Sequence, residues 1–388
     1  MFRRLSQAGL RRITALACAF LFILAADNGF SSAASTLSPE RGIDLSFLGK
    51  IVEPPLNRVV QFVDNDTVAV AIAVHNDGPP KLVRRGELGE RSAFVLHTAL
   101  LDANTGRILK ETKWPTDFPR HSGLLSAMTS QLLVLLGNRV ALSGGDLELL
   151  KQLQLPGNDS EVWVGRASPT GKNALFIEDI GRKPTTWVWV DLTQLRVLRV
   201  WKMVPPEPGG RGSPISDGYL TYIRCLPPGG VPPCTLIAQP LNDEPVRRIG
   251  GLNLRYGPPE FVDKNLVLVH GWSGDTSVVN LAKKKVIRSL GPGFIAPIFA
   301  PPASATNVLR FVIPAFNRDH ELEYFDVFDG PTARLRVFRV RGLPPPGRLP
   351  WFGSFLWGVS LSPDGKLLAV VENFKSLLIF RLPPPQAH

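Results

Sequence analysis

The sequence predicts an all-β fold built from repeated four-stranded units, and three observations support that prediction. One short phrase recurs six times: a β-rich run, a polar turn, and a second β-rich run that carries Arg or Lys. The residues that open these turns lie 41, 48, 49, 40 and 49 positions apart, and they are Asp102, Ser143, Asp191, Pro240, Asn280 and Asp329. The 36 Pro and 35 Gly leave few segments with a helical period. A strand-built repeat of this length is typical of the blades of a β-propeller.

The same arithmetic predicts the number of blades. Six units are visible, and a seventh, Phe355–Leu382, ends without an outer strand. Seven units of about 45 residues would occupy most of the chain. The N-terminal segment Leu45–Val52 has strand character, so we expect it to complete the last blade and close the ring, which removes exposed sheet edges. Rings of six or eight blades stay open as alternatives, because residues 53–98 contain more strand than one blade requires.

Residues 1–34 have the order of a secretory signal peptide. Four arginines precede the apolar run Ile13–Ala26, and small residues then lead to a predicted cleavage between Ala34 and Ser35. The 14-residue run is shorter than the roughly 17–25 residues that a spanning helix needs. We therefore expect residues 35–388 to form one propeller domain, periplasmic or secreted, with no membrane span once the signal is removed.

Charge narrows the range of partners. The formal net charge of +11 falls to +8 after signal removal, with 40 basic and 32 acidic residues left. These charges are scattered along the sequence, and the longest basic run, Lys283–Lys285, falls at a predicted hairpin tip. Nucleic-acid binding would need clustered Arg and Lys beside stacking aromatics, so we predict no nucleic-acid partner. Acidic glycans and anionic lipid headgroups remain as nonspecific partners.

Two cysteines follow the signal, Cys225 and Cys234, and strand-like runs flank the loop LPPGGVPP between them. Facing residues of a non-hydrogen-bonded antiparallel pair lie about 4.5 Å apart at Cα, which a disulfide can bridge. Because an exported protein meets an oxidising compartment, we predict a disulfide between these two residues.

Two phrases resemble repeats of known bacterial propeller families. Residues 361–371, LSPDGKLLAVV, resemble the hairpin of Trp-Asp-like and YVTN-type repeats, and residues 101–109, LDANTGRIL, resemble the quinoprotein-type repeat. Asp and Asn can cap such turns, and Gly106 and Gly365 tolerate a positive φ. Quinoprotein repeats usually carry a Trp where this chain has Lys110. The resemblance implies an exported bacterial propeller and concerns architecture only.

No sequence motif here carries a known catalytic chemistry. The chain lacks a Walker-type Gly-rich loop, an HExxH motif and a GxSxG motif. Residues 271–274, GWSG, only partly resemble a nucleophile elbow and fit a hairpin turn better. The histidines are dispersed, and each is more typical of a strand or loop residue than of a ligand: His75, His97, His121, His270, His320 and His388.

Two further features have residue types that occur in ligand sites. Residues 64–66, Asp-Asn-Asp, have the oxygen-rich spacing that Ca²⁺ prefers but lack the Gly and distal Glu of a calcium loop, so a capped turn explains them without a metal. Trp187 and Trp189 share one strand face and are expected to pack between blades. Trp351 and Trp357 are the pair expected to be exposed. We predict no metal and no cofactor.

These observations favour an exported, noncatalytic binding or scaffold propeller with WD40-like or YVTN-like repeats, which engages a protein or glycan partner through its loop face. A monomer is expected. The alternative is a propeller enzyme, either a lactonase-type hydrolase or a quinone-dependent dehydrogenase. Such enzymes assemble their sites from loops far apart in sequence, so the sequence leaves open whether the chain has catalytic activity, and it does not identify the partner.

Overall fold

The structure is a computed structural model, and its described residues form mainly β-sheets. It describes residues 37–53, 57–76, 93–128, 131–156, 163–168, 171–178, 185–203, 213–216, 218–225, 233–242, 244–253, 259–263, 265–270, 275–292, 310–316, 322–329, 335–339, 358–372 and 374–384. The helices that lie wholly within these ranges are two single 3₁₀ turns, Ser46–Leu48 and Pro119–His121. Neither is long enough to cross a membrane.

The described strands form seven antiparallel sheets, each a meander in chain order except the last. The first three sheets contain β2 (Val60–Phe62), β3 (Thr67–His75), β4 (Phe94–Asp102) and β5 (Ile108–Thr116); β6 (Gly123–Met128), β7 (Gln131–Leu136), β8 (Arg139–Ser143) and β9 (Leu149–Gln154); and β10 (Trp163–Ala167), β11 (Asn173–Glu178), β12 (Thr185–Asp191) and β13 (Arg196–Met203).

The fourth, fifth and sixth sheets contain β14 (Ser213–Ser216), β15 (Tyr219–Cys225), β16 (Cys234–Pro240) and β17 (Arg247–Leu252); β18 (Glu260–Asp263), β19 (Leu266–His270), β20 (Asp275–Asn280) and β21 (Lys285–Pro292); and β22 (Arg310–Phe316), β23 (Leu322–Asp329) and β24 (Leu335–Arg339). The last sheet contains β25 (Val359–Leu361), β26 (Leu367–Glu372), β27 (Ser376–Arg381) and the N-terminal strand β1 (Arg41–Asp44).

The six turn-opening residues of the sequence repeat occupy one structural position. Each is the last residue of β4, β8, β12, β16, β20 or β23, immediately before the hairpin that leads to the outermost strand. The basic runs that follow them are therefore outermost strands. Gly106 and Gly365 adopt φ of 78° and 69°, as the turn prediction requires. Gly137, with φ of 67°, and Asn138 form the two-residue β7–β8 hairpin.

The N-terminal strand lies earlier than the sequence indicated. Strand β1 covers Arg41–Asp44 and pairs with β27, whereas Ser46–Leu48 forms a 3₁₀ turn. The prediction of a strand across Leu45–Val52 is wrong. The physical reason is local, because the Asp44 carboxylate accepts hydrogen bonds from the Ser46 amide at 2.9 Å and the Ser46 hydroxyl at 2.7 Å, which stabilise a turn.

Apolar side chains fill the spaces between neighbouring sheets. Strand β3 is buried on both faces, because Val68, Val70 and Ile72 pack towards the last sheet. The intervening alanines, together with Trp114 of their own sheet, pack towards the second sheet, where they meet Leu132. A strand that alternates large and small apolar residues therefore serves two interfaces at once. Trp187 and Trp189 pack between the third and fourth sheets, which confirms that prediction.

The first strands of neighbouring sheets contact one another: β2 meets β25 and β6, β6 meets β10, β10 meets β14, and β14 meets β18. The fourth strands lie at the other end of each sheet and are the most exposed, with β5 and β9 mainly accessible to solvent. The sheets thus converge at their first strands and diverge towards their fourth strands. This radial arrangement defines an all-β propeller.

Candidate functional site

Antiparallel pairing gives the propeller two unlike faces. Connections from a first to a second strand and from a third to a fourth strand open on one face, which we call the short-turn face. There each connection bounded by two described strands contains two to six residues. The remaining connections open on the opposite face, the long-loop face, and include residues 76–93, 204–212 and 340–358. The longest connections therefore lie on one face.

The described part of the long-loop face contains a hydrogen-bonded junction between the first two sheets. The Asn57 side-chain amide donates to the carbonyl of His121 at 3.0 Å, and the Leu124 amide donates to the carbonyl of Arg58 at 2.8 Å. Gly123 fits here because a Cβ would lie 2.9 Å from the Arg58 carbonyl oxygen. The backbones of the two sheets approach too closely for any larger residue.

Buried polar atoms accompany this face. Asn57 Oδ1, just before β2, and Trp163 Nε1, at the start of β10, are buried and have no hydrogen-bond partner among the described residues. Glu178 is also buried, directly opposite Trp163 in the sheet, and its carboxylate accepts a hydrogen bond from the Thr186 amide at 3.0 Å. Unsatisfied buried donors and acceptors cost free energy, so Asn57 Oδ1 and Trp163 Nε1 lower the stability of the fold locally.

Cys225 and Cys234 lie at the base of one long-loop connection. Cys225 ends β15, Cys234 begins β16, and the two are direct partners in the antiparallel register. The Cys234 side chain is buried. The register supports the predicted disulfide, which stays a prediction. It would close the 226–233 connection at its neck.

The short-turn face consists of turns capped by aspartate. The Asp102 carboxylate accepts hydrogen bonds from the amides of Thr105 at 2.8 Å and Asn104 at 2.9 Å, and these bonds hold the pKa of Asp102 below its ordinary value. The cap confirms the sequence prediction for Asp102, whereas the Asn104 side chain donates to the Asp66 carboxylate instead of capping the turn backbone.

Asp191 caps another turn between a third and a fourth strand, and Asp364 caps a turn between a first and a second strand on the same face. Burial raises the pKa of Asp191. Hydrogen bonds from the Thr193 hydroxyl at 2.6 Å and from nearby amides lower the pKa by a larger amount, so the net shift is downward. Burial likewise raises the pKa of Asp364, and the Ser362 hydroxyl at 2.7 Å then brings it below its ordinary value. The same short hydrogen-bonding device thus recurs around this face.

The Asp-Asn-Asp turn at residues 64–66 forms part of this network. Asp64 accepts from the amide of Thr67 at 2.6 Å, and Asp66 accepts from the Asn104 side chain at 2.7 Å. Asn65 accepts from the amide of Asp364 at 2.9 Å, which joins the first sheet to the last. These oxygens stabilise turns. Within the residues that the structure describes, no group of three or more His, Cys, Asp or Glu side chains could hold a metal.

The remaining sequence candidates are dispersed. His97 is buried, and its Nδ1 lies 2.9 Å from the carbonyl oxygen of Leu48, so it ties the N-terminal segment to the first sheet. His75 packs against the ring of Phe94 at 5.3 Å between centroids. The basic run begins in the β20–β21 turn, as predicted. Outside the described residues lie His320, His388, Trp351, Trp357, the GWSG segment, Ala34 and Ser35.

Sequence reasoning missed the Asn57 junction and the buried Glu178. Neither belongs to a motif, and only the packing of neighbouring sheets buries them. An asparagine just before a strand gives no signal that distinguishes a junction from an ordinary turn.

Comparison with known proteins agrees with the architecture. No protein-family model matches the chain, and no curated protein matches it. A chain in a solved structure described as "Crystal Structure of Mitotic Checkpoint Complex" is similar, with a TM-score of 0.58 and 13% sequence identity. The match covers 92% of this chain and 95% of that chain. A likeness at this identity concerns the fold alone, and with the sheet topology it establishes that the protein is an all-β propeller.

Proposed function

We propose that the chain is a noncatalytic binding or scaffold propeller that engages a protein or glycan partner through its long-loop face. The observation that carries this proposal is the asymmetry between the faces. Turns of two to six residues occupy one face, and the connections at 76–93, 204–212 and 340–358 occupy the other. A rigid sheet framework that presents long connections on one side has the usual form of a recognition surface.

Site-specific photo-crosslinking tests the face used. A photoreactive residue at Asn76, which adjoins the long connection after β3, is compared with one at Gln194, in the four-residue turn before β13. Both variants are produced in cells and irradiated. The proposal predicts a discrete crosslinked species from the Asn76 variant alone. Equal crosslinking from both positions, or none from either, would contradict it.

We further propose that seven blades close into a ring through the N-terminal strand. Three observations support closure. Strand β1 is hydrogen-bonded to β27. The Phe62 amide of the first sheet donates to the Ser360 hydroxyl of the last sheet at 3.0 Å. Arg381 pairs with Glu40 at 2.9 Å. An N-terminal strand beside C-terminal strands joins the two ends of the chain.

The proposal also includes export of the protein after cleavage of residues 1–34. Cleavage between Ala34 and Ser35 would leave all the described strands intact, because the first begins at Arg41. N-terminal sequencing of protein recovered from the periplasm or medium tests this step and should read from Ser35. Recovery only of cytoplasmic protein that retains residues 1–34 would contradict export.

A further inference from the structure

The outermost strands carry most of the basic charge found in the sheets. The seven outermost strands contain thirteen Lys and Arg residues in total. There are three on β13, two each on β5, β17, β21 and β24, and one each on β1 and β9. Only two acidic residues, Asp44 and Glu111, lie on these seven strands. The other described strands show the opposite balance, with five basic and ten acidic residues. We call the Lys and Arg of the seven outermost strands the basic rim.

The basic rim faces solvent. Among its members whose side chains are described, Arg247 and Arg288 are half-buried and the rest are exposed. The charges are scattered in sequence because each blade contributes one outer strand about once every 45 residues. Folding places those strands at the outer ends of the sheets, so basic residues that are dispersed in the sequence lie together on the outer edges of the blades.

Neighbouring blades are also joined along the rim. The Arg199 guanidinium of β13 donates to the carbonyl of Leu241, in the connection before β17, at 3.1 Å. It also lies 5.2 Å from the centre of the Trp201 ring. Arg247 of β17 lies over Tyr219 at 5.1 Å. These contacts orient two guanidinium groups and make the sector formed by β13 and β17 the most densely basic part of the rim.

Protection of sheet edges explains charge on outer strands but not its sign. Edge strands commonly carry charged residues, especially Lys, because these oppose pairing with other chains. Thirteen basic residues against two acidic ones exceed that need, since acidic residues predominate on the inner strands of the same sheets. A surface of one sign around the circumference indicates a partner of the opposite sign.

The shape of the rim and its apolar residues select among anionic partners. A flat membrane can contact only one arc of a circumference, whereas every outermost strand carries a basic residue. Nucleic acids stack their bases on exposed aromatic rings. The large apolar side chains exposed on the described outer strands are all aliphatic, as at Leu150 and Val200. A linear polyanion without bases can follow the rim and needs no stacking ring.

We propose that the basic rim binds an acidic polysaccharide whose carboxylates pair with the Lys and Arg side chains of successive outer strands. This surface is separate from the long-loop face, so the inference rests on the proposed seven-bladed arrangement but not on the partner proposed for that face. Its contacts are mainly charge pairs in solvent, which are individually weak and depend on their number.

Charge reversal on the rim provides the test. The rim variant is K110E/K151E/K202E/K285E, with one exposed lysine changed in each of four blades. Polygalacturonate is the probe, and binding to the full chain is measured by calorimetry at about 50 mM NaCl. The rim variant should bind about 30-fold more weakly, because each lost contact is small but the four losses accumulate. The variant K110Q/K151Q/K202Q/K285Q should lie between the two.

A matched control removes the same charge elsewhere. The control variant, K50E/R120E/K366E/K375E, changes four exposed residues on connections between strands and shifts the net charge by the same amount. It should bind within about threefold of the unchanged protein if location matters, since distant exposed charges are largely screened. Thermal unfolding checks that each variant is folded. If the glutamate rim variant does not fold, polygalacturonate binding by the glutamine rim variant provides the test.

The remaining arms identify the partner class. Neutral dextran should not bind, and raising NaCl from about 50 to about 300 mM should weaken polygalacturonate binding by tenfold or more. Equal weakening in the rim and control variants would overturn the proposal, because net charge alone would then explain binding. It would also be overturned by absence of binding at low salt, or by tighter rim-dependent binding of phosphatidylglycerol vesicles or single-stranded DNA.

Discussion

Leu45 is the residue through which closure of the propeller can be measured. It follows β1, is fully buried, and packs in a cluster shared by the N-terminal segment, the first sheet and the last sheet. Its amide also donates to the carbonyl of Lys375 at 2.7 Å. We predict that Leu45→Ala destabilises the whole domain rather than a local segment, because this side chain packs against both the first and the last sheet.

The size of the effect follows from burial. Replacing a fully buried Leu by Ala removes its transfer free energy and leaves a cavity, which typically costs about 2–5 kcal/mol. Leu109 offers the same chemical change on β5, where its side chain is 43% exposed. Leu109→Ala should therefore cost less than about 1 kcal/mol, since surface substitutions rarely cost more.

Thermal and urea unfolding followed by circular dichroism measure the difference. Over 388 residues the unfolding entropy is roughly 0.8 kcal/mol/K, so a loss of about 3 kcal/mol should lower Tm by about 4 °C. Deletion of residues 40–53 should abolish the cooperative transition. Equal Tm values for the two alanine variants, or an unaltered transition after the deletion, would refute closure by the N-terminal segment.

Three further predictions concern turns, cysteines and packing. Because its pKa is lowered in the folded protein, the Asp102 carboxylate stabilises the fold above about pH 4 and loses that effect as the pH falls through the pKa of the folded state. Asp102→Asn should therefore reduce the loss of Tm on acidification. An unchanged dependence of Tm on pH would contradict this prediction. Cys225→Ser and Cys234→Ser should each release one reactive thiol and cost about 2–3 kcal/mol, whereas two free thiols in the oxidised unchanged protein would exclude the disulfide. Gly165→Ala should cost about 1–3 kcal/mol of stability, because its Cβ would lie 2.6 Å from a ring carbon of Phe176. Gly250→Ala is the control, because the Cβ there meets no close neighbour. Equal stability of the two variants would show that the packing around Gly165 can adjust.

The hairpins were the most predictable part of the fold. Asp102, Asp191 and Asn280 open turns at the ends of third strands, as the repeat indicated. Their side chains act within two or three residues, as Asn280 does when its oxygen accepts from the Lys283 amide at 2.8 Å. Turns of this kind can be predicted from the sequence, because the groups that interact are neighbours in the chain.

The N-terminal strand was predicted in the correct place in the topology but at the wrong residues. Strand propensity favoured Leu45–Val52, yet the strand is Arg41–Asp44, of which only Ile43 is buried. Propensity and hydrophobicity do not identify an outer strand that lies mainly in solvent. Pairing with β27 decides which segment becomes the strand, and the local sequence does not indicate a pairing partner more than 330 residues away.

The amino-acid sequence determined the repeating unit, its turns and the all-β class, because each depends on neighbours a few residues apart. Tertiary structure decided which strands lie outermost, which connections share a face, and which residues meet between the first and last sheets. Those properties arise from contacts between distant parts of the chain. The basic rim exists for the same reason: radial packing gathers onto one circumference the charges that the sequence disperses.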